Sequence, residues 1–278
     1  MSQPQRIAAF FDIDGTLVPS GSLEWRFVFY LLSRGQLGAR NALCWLLNGI
    51  RRTAHGWRAA IEENKFYLAG LPESLAVEWA DSMALQHSIH KSIHKSVHKM
   101  GPFSGEGVQR IAWHQSLNHR VFLISGTLAP LARAVANYLP GTLAVVATEL
   151  AECRQAADKH GGCAVWSGEL CGEHMVGAAK RRAVQALAAK YSLNLDESYA
   201  YGDSAADCAV LECVGHPEVV NPSRRMALLA RRRGWLVRHW QEDGQQERRP
   251  EDNEWNQNAS KIMSAERFSV PTAREQIR

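Results

Sequence analysis

Two carboxylates stand two residues apart near the start of the chain, in Asp12-Ile13-Asp14-Gly15-Thr16. They close a short apolar run. Side chains two apart on a strand share a face, so both would project together beyond the strand's carboxyl end. Adjacent carboxylates repel, which favours a bound cation or a raised pKa on one of them. Gly15 lets the backbone approach a ligand closely. Three further groups carry compatible chemistry. Ser125-Gly126-Thr127 precedes a helical pattern opening at Leu128, and a hydroxyl with free amides at a helix N-terminus makes a phosphate site. Lys180 stands at the start of another helical pattern, where a compact ammonium would neutralise phosphate charge. Gly202-Asp203-Ser204-Ala205-Ala206-Asp207 adds two carboxylates, the second one helical turn on, suited to a hard divalent ion. Taken singly, Asp-Gly after a strand is often only a turn, and a lone lysine is usually a solvated surface charge. Their order on successive strand ends argues for a shared site.

The elements that must position these groups follow from hydrophobic patterning. Ile7–Ile13 is an unbroken apolar run and reads as a strand buried on both faces, as in a parallel sheet. Similar runs follow at Arg120–Ile124, Leu143–Ala147, Ser198–Tyr201 and Glu218–Val220, with Leu236–Val237 as an edge. Helical patterns separate them at Gly107–Leu117, Leu128–Tyr138, Gly177–Tyr191, Ala205–Cys213 and Arg224–Arg233. That alternation predicts an α/β fold with a parallel sheet. Residues 20–100 break the alternation with helical patterns alone, at Leu23–Leu32, Ala39–Ile50, Trp57–Ala69 and Glu73–Gln86. They read as an all-helical insert after the first strand. The expected organisation is a core of residues 1–17 and 105–240, a helical cap over 18–104, and a disordered tail over 241–278. Nine of the tail's 38 residues belong to the hydrophobic set that makes up 46% of the chain, too few to build a core.

Composition narrows the class. The chain has 278 residues, 22% of them charged, near globular averages, which excludes collagen, full disorder and coiled coil. A net charge of +4 permits an anionic substrate and does not argue for nucleic acid. The longest apolar runs, near Phe27–Leu32 and Ala42–Leu47, fall far short of the ~20 residues that cross a bilayer, so no transmembrane segment is expected. No secretory signal is visible. The six cysteines lack a small-scaffold pattern, so a reduced, cytoplasmic compartment is the expectation.

The four motifs in this order resemble the haloacid dehalogenase superfamily, in the branch of phosphoserine phosphatase-like hydrolases (subfamily IB). The resemblance spans roughly residues 6–240, and the insert falls where that branch carries its first-position cap. It implies a Rossmann-like core and magnesium-dependent phosphoryl transfer through an aspartyl-phosphate. Asp12 would be the nucleophile, and Asp14 would protonate the leaving oxygen and then activate water. Asp12, the Asp14 carbonyl and Asp203 would hold Mg2+, with Asp207 in support, while Ser125, Gly126 and Lys180 clamp the phosphate. Dehalogenating relatives lack the second aspartate of the first motif, so Asp14 points to phosphate chemistry. Phosphoserine phosphatases usually carry Asn where Ala206 stands, which removes a polar contact. The expected reaction is hydrolysis of a small phosphorylated metabolite. A phosphotransferase, a phospholipid-headgroup phosphatase and a non-catalytic binder of a phosphorylated ligand are the alternatives. Monomer and homodimer both remain open.

Weaker signals remain. Residues 21–60 carry six arginines (26, 34, 40, 51, 52, 58) against Glu24 alone, together with Trp25, Trp45 and Trp57. They read either as a lid that draws anionic substrates or a membrane surface, or as packing by snorkelling arginines. Arg51, Arg52 and Arg58 are the expected readers of a second anionic group. Glu24 lies near where relatives use an acidic cap residue to read a substrate amine, in a different register. Ser88–Lys99 repeats a four-residue unit that runs His90, His94 and His98 down one helical stripe, which suits a solvated helix. His160, Cys163, Cys171 and His174 have the spacing of a zinc set or of a chance pair on a hairpin.

Overall fold

The structure, a computed structural model, describes residues 6–19, 21–53, 56, 61–93, 103–154 and 164–240. Six strands form the main sheet: β1 (Ala8–Phe11), β2 (Arg120–Leu128), β3 (Ala144–Thr148), β6 (Tyr199–Gly202), β7 (His216–Val220) and β8 (Leu236–Arg238). The pair β4 (Leu150–Arg154) and β5 (Ala164–Leu170) forms a separate antiparallel ribbon. All pairings in the main sheet are parallel, in the order β3-β2-β1-β6-β7-β8. The fold is therefore the doubly wound α/β type expected. β1 is flanked by β2 on one side and β6 on the other, so the strand order reverses at β1. In open parallel sheets the crevice at such a reversal, beyond the strands' carboxyl ends, is where ligands bind.

The unbroken apolar strands have the burial such a sheet requires. Alternation by two sends Ala9, Phe11, Leu123 and Tyr201 to one core, and Ala8, Phe10, Phe122 and Ala200 to the other. In-register Phe10 and Phe122 stack with ring centroids 5.5 Å apart. Val184, Met226 and Trp235 close the second core.

Among the described residues, the stretch between β1 and β2 holds α1 (Leu23–Ser33), α2 (Ala39–Arg52) and α3 (Ser74–Ile93), before α4 (Gly105–Ser116) leads into β2. The chain leaves and returns at one point, where the Ser104 amide donates to the Leu17 carbonyl at 2.8 Å. The helix expected over 57–69 is helical at Ile61 but does not continue beyond it, and the described residues that follow run into a 3-10 turn at Phe66–Leu68. Asn64 is the reason. Its side chain donates to the Trp45 carbonyl and accepts from the Phe66 amide, diverting the backbone from helical pairing. The later helices are α5 (Ala129–Ala136), α6 (Ala178–Tyr191), α7 (Cys208–Leu211) and α8 (Arg224–Arg233). The helix expected over 205–213 shrinks to a single turn, because Ser204 donates from both its amide and its hydroxyl to Asp207 and holds that stretch as a loop. Residues 241–278, expected to be a tail, lie outside the described residues. Among the described residues no helix is long and apolar enough to cross a membrane. The five described cysteines are free.

The inserted helices are tied to the rest by aromatic packing. Phe27 of α1 is fully buried, its ring edge-on to Trp79 of α3 at 5.5 Å and to Trp166 of β5 at 6.0 Å. The ribbon is also hydrogen-bonded to the insert, Gly70 donating to the Trp166 carbonyl and the Trp166 amide to Leu71. Phe27→Ala would leave a cavity where these elements meet. It is expected to cost ~3–5 kcal/mol, read as a lower urea midpoint at unchanged slope.

Candidate active site

The four motifs converge at the carboxyl ends of β1, β2 and β6. Asp12 follows β1 directly, and its amide donates to the Tyr201 carbonyl of β6 at 2.9 Å, which pins the nucleus of the site to the neighbouring strand. Lys180, in the first turn of α6, is only 2% exposed. Its Nζ donates to Asp12 Oδ1 and to Asp207 Oδ1, each at 2.6 Å. α6 is itself anchored by the Gly177 amide, which donates to the Ala206 carbonyl. Burial works to lower the Lys180 ammonium, but the two aspartates overcome it and hold it above the ordinary lysine range. The second oxygen of Asp207 accepts from the Ser204 amide and hydroxyl. Ser204 thus supplies polarity in the loop where Ala206 cannot.

Four carboxylates, Asp12, Asp14, Asp203 and Asp207, share this one ammonium. Burial, and then Asp207, raise Asp12 well above the carboxylate range, against the pull of Lys180. Burial raises Asp14 to about 6, although its Oδ1 accepts from the Leu23 amide at 2.9 Å. Burial and the charge of Asp207 raise Asp203 to about 7. Carboxylate oxygens of Asp12, Asp203 and Asp207 lie within 4.8 Å of one another, close enough to share one cation. An oxygen-only donor set with unbalanced negative charge fits Mg2+. Gly15 makes this approach feasible. It has φ +81°, and a Cβ there would sit 2.2 Å from Asp203 Oδ2.

The pocket above these groups, about 210 Å³, is lined by Ser125, Gly126 and Thr127 on one side and by Ser22 and Glu24 of the insert on another. The expectation that Ser125-Gly126-Thr127 heads a helix is corrected. β2 runs on to Leu128 with a register shift against β3 between Ile124 and Leu128, and α5 begins only at Ala129. Pro130 explains the late start, since proline suits a first helical turn. The bulge is braced by Thr148, whose hydroxyl donates to the Gly126 carbonyl and accepts from the Met175 amide.

All seven residues expected in the site, Asp12, Asp14, Ser125, Gly126, Lys180, Asp203 and Asp207, are brought together here. Of the arginines expected to read the substrate, the described Arg51 and Arg52 are not among the pocket's lining residues. Arg51 is exposed and Arg52 pairs with Glu63 at 3.4 Å, while Arg58 lies outside the described residues. The insert instead presents Glu24, whose Oε1 accepts from Lys65 Nζ and from the Tyr67 hydroxyl, each at 2.6 Å. Burial and Glu24 raise Tyr67 well above its ordinary value, so it stays a donor. Of the cysteine and histidine set, Cys171 is exposed and His174 half-buried, with His160 and Cys163 outside the described residues. His94 and His98 of the repeat also lie outside them.

Sequence reasoning missed three residues. Thr127 is buried and its Oγ1 has no hydrogen-bond partner among the described residues, although it borders the pocket. Lys65 and Tyr67 stand more than 40 residues from Glu24, and no local spacing marks them. Thr127 stands inside the Ser125-Gly126-Thr127 motif, where its own hydroxyl had been given no role.

The raised carboxylates fix a pH dependence. A folded pKa above the unfolded value means that these carboxyls contribute stability to the metal-free fold that is fully present below the ordinary carboxylate range and is lost as pH rises through about 6 to 7. A cation bound by the same oxygens competes with protons, so saturating Mg2+ is expected to raise Tm by several degrees at pH 8 and hardly at all at pH 5, measured by calorimetry.

The sequence profile of the haloacid dehalogenase-like hydrolases matches residues 9–212. A Mycobacterium tuberculosis protein named phosphoserine phosphatase is 31% identical over 238 residues, covering 83% of this chain and 70% of that one. The inhibition of morphological differentiation protein of Streptomyces azureus is 28% identical over 242 residues, covering 84% and 78%. A solved structure from Bordetella pertussis, a protein of unknown function, matches with a TM-score of 0.61 at 22% identity over 84% of this chain and 98% of that one. A phosphoserine phosphatase structure holding a phospho-aspartyl intermediate analogue matches with a TM-score of 0.51 at 14% identity, over 81% and 90%. At those identities the two structures speak for the fold. With the profile spanning most of the sheet and all four motifs, this chain belongs to the haloacid dehalogenase-like hydrolase family.

Proposed function

We propose that this chain is a magnesium-dependent phosphomonoester hydrolase that works through a phosphorylated Asp12. The observation that carries the reading is the Lys180 bridge. One oxygen of Asp12 is held by a buried ammonium, and the other is left to attack a phosphorus atom seated over Ser125 and Gly126. Asp12, the Asp14 carbonyl and Asp203, with Asp207 behind them, would hold Mg2+, which when bound neutralises the phosphate and the attacking carboxylate. The free Asp12 oxygen forms a bond to phosphorus as the bond to the leaving oxygen breaks. Asp14, raised to about 6, holds a proton near neutral pH more readily than an ordinary aspartate and gives it to that oxygen. The resulting Asp14 carboxylate takes a proton from water, whose oxygen attacks phosphorus. The Asp12 oxygen then leaves, restoring the Asp12 carboxylate beside a reprotonated Asp14 and releasing inorganic phosphate.

Residues 18–104 act in this reading as a cap. Its link to the chemistry is direct, because the amide that fixes Asp14 belongs to Leu23, in the first turn of α1. The pocket's volume suits a small phosphorylated metabolite. Glu24 is already matched by Lys65 and Tyr67, so it holds less attraction for a substrate ammonium than an unpaired carboxylate would. Together with Ala206, this favours a leaving group other than serine.

Asp12→Asn is expected to abolish Mg2+-dependent hydrolysis of p-nitrophenyl phosphate while the circular dichroism spectrum stays unchanged. Turnover within tenfold of wild type, or full activity after exhaustive chelation, would overturn the mechanism. The unpartnered Thr127 hydroxyl supplies a second test. Thr127→Val removes one hydrogen bond to the substrate, worth ~0.5–1.5 kcal/mol. Its KM should rise about 2- to 12-fold with kcat within twofold, and Thr127→Ser should restore it.

A further inference from the structure

α2 is an amphipathic helix turned inside out. Its polar residues face the protein: Asn41 donates to the Tyr67 and Ala69 carbonyls, Asn48 is half-buried, and Arg52 reaches Glu63. Asn41, Cys44, Asn48 and Arg52 follow helical spacing and form one face. The opposite face is Leu43, Leu46, Leu47 and Ile50, spaced at three and four residues and 52% to 61% exposed. Not one residue of the helix is buried. The preceding helix α1 exposes Trp25 (65%), Phe29 (66%) and Leu32 (54%), with the Trp25 and Phe29 rings 6.5 Å apart. Scattered exposed leucines need no explanation, but an ordered apolar stripe on one helix, with exposed aromatic residues on the helix just before it, marks a surface that something covers.

The charge around that surface selects what covers it. Residues 21–60 hold six arginines and no lysine, and their single acidic side chain, Glu24, is turned inward to Lys65. Arg34, Arg40 and Arg51 are exposed at the helix ends, flanking the apolar stripe. A second copy docking by the same patch would bring these cationic ends together at a two-fold axis, with no acidic residue of the segment to meet them. An apolar face with aromatic residues and an arginine border instead has the composition of a helix lying in the interfacial plane of an anionic bilayer. At 14 residues, ~21 Å, α2 can lie on such a surface and not cross it.

We infer that the outer faces of α1 and α2 form a docking surface for anionic lipid membranes, with Leu43, Leu46, Leu47, Ile50, Trp25 and Phe29 entering the headgroup–acyl boundary. This assignment does not depend on the phosphatase reading.

The test is co-sedimentation of the full chain with vesicles of phosphatidylcholine alone and of phosphatidylcholine with 30% phosphatidylglycerol, at low and high salt. The expected result is sedimentation with the anionic vesicles only, weakened at least tenfold by 0.5 M NaCl, with a blue shift of tryptophan emission. The double variant L47E/I50E should lose vesicle binding at least tenfold. Both positions are exposed and remote from the catalytic aspartates, so its thermal midpoint and p-nitrophenyl phosphate turnover should match wild type. Absence of binding to the anionic vesicles at low salt would overturn the assignment. So would equal binding to both vesicle types, or a wild-type dimer in sedimentation velocity that L47E/I50E dissociates, which would give the surface to a second copy. If vesicles bind but no phosphomonoester is hydrolysed, the docking surface stands and the proposed reaction falls.

Discussion

The buried ion bridge from Lys180 to Asp12 and Asp207 is the interaction on which the rest of the site depends. An ammonium and two carboxylates taken out of water carry a desolvation cost of several kcal/mol each, recovered only when every charge is held in close geometry. The fold provides that geometry from three separate elements: the end of β1, the first turn of α6 and the loop after β6. Each is itself anchored, Asp12 through its amide to Tyr201, α6 through Gly177 to Ala206, and Asp207 through Ser204. Losing one partner would leave a buried charge without compensation, which is far costlier than losing a surface pair. The bridge therefore restricts where β1, α6 and the loop after β6 can sit.

The bridge also leaves the site deliberately short of positive charge. Lys180 cannot balance four carboxylates, and burial makes the imbalance expensive. Asp12, Asp14 and Asp203 all respond by holding protons to unusually high pH. In the proposed reaction that unbalanced charge would attract a divalent cation, and the burial that lifts Asp14 to about 6 would bring it near the range where a general acid is useful.

The insert contributes at two levels. Through Phe27 and Trp79 it packs onto Trp166 of the β4–β5 ribbon, and through the Leu23 amide it fixes the orientation of Asp14. Its outward surface has a different character. There the hydrophobic pattern is strong but points away from the protein, while asparagines make the inward contacts. Amphipathic periodicity thus identifies the α2 helix correctly but does not say which of its faces meets the core.

The sequence by itself determined the strands of the main sheet, its parallel class and the seven residues that the fold brings together at its carboxyl edge. Unbroken apolar runs mark buried strands, and short motifs at their ends carry chemistry that local spacing records. It did not contain the extension of β2 past Ser125 to Leu128, because the bulge is set by Thr148 from the next strand. Nor could it show that Glu24 is held by Lys65 and Tyr67, or that Arg51 and Arg52 stay out of the pocket. Those contacts join residues far apart in the chain, and only packing of the insert decides which face of each helix turns inward. Lys180 illustrates the division best. Its position at a helix start was legible from local pattern, whereas its burial between two aspartates 168 and 27 residues away exists only in the folded molecule.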